Sequence, residues 1–199
     1  MQLLEVVILV AVLLMSVVVH EVAHAWQARR EGDDTAERLG RITLNPLKHL
    51  DPIGSIILPG ILAYTGGMIF GWAKPVPVNP ANYREYVAGD IRVSMAGIVS
   101  NLILAALATL AAGFVVQLRS IVGSMGGATD VAFMTLDYAI YINLILAFFN
   151  LIPIPPLDGS HVLYQLLPAR AQEGYRRVSR YGFIVILLLV FALPDVLQV

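Results

Sequence analysis

The sequence predicts an all-α polytopic membrane protein, and three observations predict it. Of its 199 residues, 58% are hydrophobic and 14% charged, against about 45–50% and about 25% in soluble domains. The apolar residues gather in runs of roughly 18 or more, the length that crosses a hydrocarbon core of about 30 Å. The basic residues cluster in four loops between those runs, with a strong bias in how they are shared out. The length suits one domain, 1–199. With 13 basic and 14 acidic residues the net charge is −1, so no basic excess points to nucleic acid. The absence of cysteine excludes disulfides and thiolate-held zinc or iron–sulfur sites.

Leu3 to Val19 forms the first run, which continues through a polar trio to Trp26. Glu5 is the only charge before His20, so the basic n-region of a signal peptide is missing and this run reads as a mature helix. The second run, Ile53 to Trp72, is broken by Pro59-Gly60, Gly66-Gly67 and Gly71. Proline removes a helical hydrogen bond and glycine weakens helices. Broken backbone survives at membrane depth only where protein or trapped water covers it. The third run, Ile91 to Leu118, has helical length and no proline. A fourth begins near Tyr138 and reaches Leu157, with an apolar stretch on to Leu167, and the fifth is Tyr181 to Leu197.

Charge decides how the second run is used. If it spans, the basic residues divide almost evenly between the two sides and orient nothing. If it dips in and returns, Arg119 stands alone on one side and every other basic residue lies on the other. Cytoplasmic loops carry the excess of Lys and Arg. The reading is therefore four true spans, a re-entrant element over residues 53–71, and both termini outside.

The chemistry is concentrated at His20-Glu21-Val22-Ala23-His24. Residues four apart share a helix face, so both histidines can aim a nitrogen at one ion. Glu21 sits one residue on, close enough to reach a water on that ion without binding the metal. This is the arrangement of zinc metalloproteases, with the glutamate as general base. A helix end at the interface, marked by Trp26 and Arg29, would also solvate these groups. Against that, three ionisable groups in one turn of an apolar helix are costly, at about 2.5–3.5 kcal/mol for one central charge.

A catalytic zinc takes three protein ligands and a water. Without cysteine the third is His, Asp or Glu; Asp158 and His161 are the candidates in apolar surroundings, with Asp137 at a segment edge. Asp158 follows Pro153, Pro155 and Pro156, which interrupt the helix and let a carboxylate turn inward. Four spans bring that stretch back to the side of the histidine pair; five would not. His49, in Leu47-Lys-His49-Leu-Asp51, reads as a solvated loop residue.

Taken together these motifs resemble the site-2 protease family of intramembrane zinc metalloproteases, in a compact form without PDZ or CBS domains. The resemblance rests on His20-Glu21-x-x-His24, on Asn150-x-x-Pro153 with Asp158-Gly159, and on Gly97-x-x-x-Asn101. Asn45-Pro46-Leu-Lys and Gly71-Trp-Ala-Lys-Pro-Val add to it. It implies a core of three membrane helices around a zinc ion, one per chain, to which the fifth apolar run adds one further C-terminal span. It implies His20, His24 and Asp158 as metal ligands, Glu21 as the base that activates water, and Asn150 as a donor to the oxyanion or the substrate backbone. A re-entrant or hairpin element around residues 53–78, centred on Gly71–Val78, would pair with unwound substrate.

The implied activity is regulated intramembrane proteolysis of single-span membrane proteins. The expected setting is the lipid bilayer of a bacterial or archaeal plasma membrane, with the zinc site towards the cytoplasm. The alternative is a zinc transporter or an inactive binder of membrane helices. A transporter would carry ionisable residues on several spans, and the third and fifth runs hold charged residues only towards their ends, Arg92 and Asp195; an inactive relative would be expected to lose Glu21.

Overall fold

The computed structural model describes residues 3–57, 61, 64, 74–122 and 127–192. Seven α-helices are described: α1 (Leu3–Glu31), α2 (Thr35–Arg38), α3 (Tyr86–Val122), α4 (Gly127–Leu151), α5 (Asp158–Leu166), α6 (Ala169–Ser179) and α7 (Gly182–Ala192). No strand occurs among the described residues. Among the described residues, three helices are long and apolar enough to cross a membrane: α1, the Tyr86–Arg119 stretch of α3, and α4.

These three form the core. α3 packs along both α1 and α4, α1 also touches α4, and α5 lies against α3. Their large apolar side chains point outward, Leu3, Leu110, Phe114 and Phe148 among them. Small residues face inward, with Ala25, Ala28, Ala105, Ala108 and Ala147 all buried. That inversion is expected in lipid, where tails compete with leucine for apolar contact and close backbone approach drives association.

α1 overshoots its apolar run and ends in a fixed corner. The amides of Gly32 and Asp33 donate back to the Ala28 carbonyl at 3.1 and 2.9 Å. Gly32 has φ 118°, a backbone that L residues avoid. Glu31 then takes two hydrogen bonds from Arg92, at 2.8 and 2.7 Å, joining the end of α1 to the start of α3. Asp33 is fully buried and accepts from the Asn79 amide at 2.7 Å and the Asn82 side chain at 2.8 Å, as well as from Thr35. Burial pushes its carboxyl upward, but the hydrogen bonds from Thr35, Asn79 and Asn82 outweigh it and hold the group below its ordinary value.

Two sequence expectations need correction. The fourth run was placed from near Tyr138 to Leu157, whereas α4 spans Gly127–Leu151. Polar residues of its early turns, Thr129, Asp130 and Asp137, hide the start from an apolar count. Asp130 lies 3.6 Å from Arg119 at the other end of the connection from α3. Its end comes early because Pro153, Pro155 and Pro156 cannot continue a helix. His49 is not a solvated loop residue. It is fully buried, its Nε2 lies 2.9 Å from the Thr43 carbonyl, and its own carbonyl accepts from the Lys74 amide at 2.9 Å.

Most of the expected re-entrant element, residues 53–71, lies outside the described residues, as do Gly71–Ala73 of the proposed hairpin. What is described is a π-helical turn, Pro52–Ile57. The Asp51 carboxylate opens it by accepting from the amides of Ile53 and Gly54 at 3.0 and 2.7 Å. Lys74–Val78 follows without helix or strand. Of the expected C-terminal span, only the part in α7 is described.

Candidate metal centre

Helical spacing places His20 and His24 on one face of α1, and α3 presents matching partners at the same interval. Val93, Gly97 and Asn101 are four residues apart and so line one face of α3. His24 Nδ1 lies 2.7 Å from the Val93 carbonyl. A carbonyl only accepts, so Nδ1 carries the proton and Nε2 keeps its lone pair. His20 Nδ1 lies 2.5 Å from Asn101 Oδ1. The Asn101 amide nitrogen is turned to Asn143 Oδ1 at 2.7 Å, which leaves Oδ1 as the acceptor towards His20. Asn143 in turn donates to Ser16 Oγ at 2.9 Å and to the Ala139 carbonyl at 2.8 Å. Both rings are thus oriented by hydrogen bonds behind them, as metal-binding histidines usually are.

In front, the two Nε2 atoms lie 3.0 Å apart, and Asp158 Oδ2 lies 3.1 Å from His20 Nε2 and 3.3 Å from His24 Nε2. With both Nδ1 atoms protonated, three lone pairs converge on one point and repel. Asp158 Oδ2 is buried without a hydrogen-bond donor, a costly condition that a cation would relieve. Ligand atoms arranged tetrahedrally about zinc at about 2.0–2.2 Å stand about 3.3–3.6 Å apart, a few tenths of an ångström wider than the spacing found. The residues therefore fit a zinc ion.

Two glycines make the approach possible. A Cβ on Gly97 would stand 2.4 Å from His24 Nε2 and 2.6 Å from His20 Nε2, so α3 leaves an opening where the two rings meet. A Cβ on Gly159 would stand 2.2 Å from the Leu151 carbonyl oxygen. Only glycine lets the first turn of α5 press against the end of α4, and that contact carries Asp158 inward.

The remaining candidates are placed as follows. Glu21 Oε2 accepts from the Val76 amide at 2.7 Å. Asn150 donates to the Leu146 carbonyl at 2.9 Å, one helical turn back. His161 turns away from the histidine pair, with Nδ1 3.7 Å from Asp90 Oδ2, and Asp137 is exposed on α4. Sequence reasoning missed Ser16 and Asn143. The available signal was Asn143 itself, an amide set in the apolar stretch Ile140–Phe149, where an unpartnered polar group is expensive.

The family model for peptidase family M50 matches residues 8–193. The chain belongs to peptidase family M50, the site-2 protease family. Among curated M50-like relatives, "Putative zinc metalloprotease YwhC" of Bacillus subtilis is 43% identical over 186 residues, which cover 91% of this chain and 78% of that protein. "Putative zinc metalloprotease Rip2" of Mycolicibacterium smegmatis is 31% identical, covering 92% of this chain and 66% of its own length. The Mycobacterium tuberculosis protein of the same name is 30% identical, with 94% and 67% covered. No solved structure matches the chain. This M50 chain is a metalloprotease, zinc is its metal, and its apolar helices make it a multi-pass membrane protein.

Proposed function

We propose that this M50 protein is an intramembrane endopeptidase that hydrolyses peptide bonds in or near the transmembrane segments of single-span membrane proteins, in regulated intramembrane proteolysis. The observation that carries the reading is the meeting of two imidazole lone pairs and a buried carboxylate inside a bundle of membrane-length helices. His20, His24 and Asp158 hold the metal, and the whole of 1–199 acts as one catalytic domain. Zinc, when bound, supplies a Lewis acid that polarises a carbonyl and lowers the pKa of water.

The chain does the rest. Glu21 takes a proton from the attacking water and hands it to the leaving amine. Asn150 spends one side-chain N–H on Leu146 and has a second to give the substrate oxygen or backbone. A substrate helix hides its carbonyls in its own hydrogen bonds and must unwind before attack. Edge pairing with a hairpin element in the 53–78 region would compensate the bonds lost. The direct test uses the purified chain in proteoliposomes with a panel of single-span proteins. Chelation should stop the appearance of new termini within or beside the substrate span, and zinc should restore it. Cleavage that persists in chelator, with the metal verified absent, would end the proposal.

The proposed topology has residues 53–71 entering and leaving from the cytoplasmic face, a further C-terminal span, and the zinc site towards the cytoplasm of a bacterial or archaeal cell. Its support is the isolation of Arg119 from every other basic residue. The chain has no native cysteine, so single cysteines can be introduced cleanly. An impermeant thiol reagent added to intact cells should label Ser124→Cys and leave Asn82→Cys unlabelled. Labelling of Asn82→Cys from outside would make the second run a span.

A further inference from the structure

Arg41 is a buried guanidinium, 7% exposed, that the zinc chemistry does not use. Its Nη2 donates to two successive carbonyls, Lys74 at 2.9 Å and Pro75 at 3.3 Å. These belong to the short strap Lys74-Pro75-Val76-Pro77, held on its other side by the bond from the Lys74 amide to the His49 carbonyl. Val76 itself is buried, packed with Ala25 of α1 and Ala36 of α2. The two prolines have no N–H, so Val76 is the one backbone donor in Pro75-Val76-Pro77. That single donor is aimed at Glu21 Oε2 from 2.7 Å.

We propose that Arg41 is a positioning residue for Glu21, acting through the strap: the guanidinium fixes the Lys74 and Pro75 carbonyls, and the peptide so fixed delivers the Val76 N–H to the carboxylate. The inference rests on the reading of Glu21 as the base. A glutamate side chain has three rotatable bonds and, at the mouth of a wet site, several orientations of similar energy. A charge-assisted bond to one oxygen selects one orientation and leaves Oε1 for the water. Proline at both sides of Val76 stiffens the strap. Arg41, anchored by its own amide to the Ala36 carbonyl at 2.9 Å, sets where the strap lies. Lysine in its place would keep the charge and N–H donors, but on a flexible ammonium without the rigid planar guanidinium that fixes where both carbonyls lie.

The test is steady-state cleavage of a single-span substrate by the full-length, zinc-loaded chain. Arg41→Gln should lower kcat about 10–100-fold, the usual loss for an outer residue that orients a catalytic group, with KM, zinc content and thermal midpoint at parental values. Arg41→Lys should recover part of the loss. Val76→Pro, which deletes the donor itself, should match Arg41→Gln, and the double variant should be no slower than the slower single one. A parental kcat in Arg41→Gln would overturn the proposal. So would losses explained by lower zinc content, lower thermal midpoint or higher KM, or multiplicative losses in the double variant. Cleavage retained by Glu21→Gln is a separate failure: it would remove Glu21 as base, whatever Arg41 does.

Discussion

Glu21→Gln is expected to bind zinc at the parental stoichiometry and to lose cleavage by a factor of at least about 10²–10⁴, the contribution of a positioned general base. The carboxylate is a neighbour of the metal-binding group and not a member of it, since the convergent atoms come from His20, His24 and Asp158. Glutamine keeps the side chain's length and can still accept the Val76 N–H through its carbonyl oxygen. The strap contact of 2.7 Å should therefore survive, and only the capacity to take a proton disappears. Fragment yield by mass spectrometry, beside metal analysis of the same sample, separates the two properties. Appreciable turnover by a zinc-loaded Glu21→Gln protein would require another base.

The second large effect is expected from a single methyl group. Gly97→Ala should leave a folded protein with essentially no zinc. Alanine is better than glycine inside a helix by about 1 kcal/mol, so the helix itself gains. The loss is local: the new Cβ would sit 2.4–2.6 Å from imidazole atoms of both histidines, well inside any normal contact. To escape it the rings must swing off the Val93 carbonyl and the Asn101 side chain, and their lone pairs then no longer meet at Asp158. Gly113→Ala, on the same helix with nothing within 4 Å of the new methyl, should keep its zinc. Metal content and helical circular dichroism of the two variants decide the matter. Parental zinc in Gly97→Ala would mean that the metal lies elsewhere.

The sequence made the spans of α1 and α3 legible because apolar length is a local property. The His20–His24 pair was legible because a four-residue spacing on a helix is local too. Asp158 could be narrowed to a few candidates by composition, and topology favoured it, but its final approach depends on Gly159 against Leu151, a contact between elements. The start of α4 was lost because its first turns are polar. His49 was misread because a histidine between lysine and leucine carries no sign of burial; Thr43 and Lys74, which surround it, lie elsewhere in the chain. Arg41 escaped notice for the same reason. Its partners are backbone carbonyls, and a carbonyl leaves no mark in a sequence.

The hydrogen-bonded file of Ser16, Asn143, Asn101 and His20 acts as a vernier for assembly. Apolar helices in lipid gain little from one rotation over another, since a tail can stand in for any leucine. A helix turned by a single residue swings its side chains through about 100°, and here it would strand an amide in hydrocarbon with no water to rescue it. The file draws on α1, α3 and α4 at once, so one rotational setting of all three helices satisfies it. That setting is also the one that turns His20 towards His24 and Asp158. Azimuth and the candidate metal group are thereby keyed together: a bundle that closes in a wrong register is penalised at its centre, and it also parts His20 from His24 and Asp158.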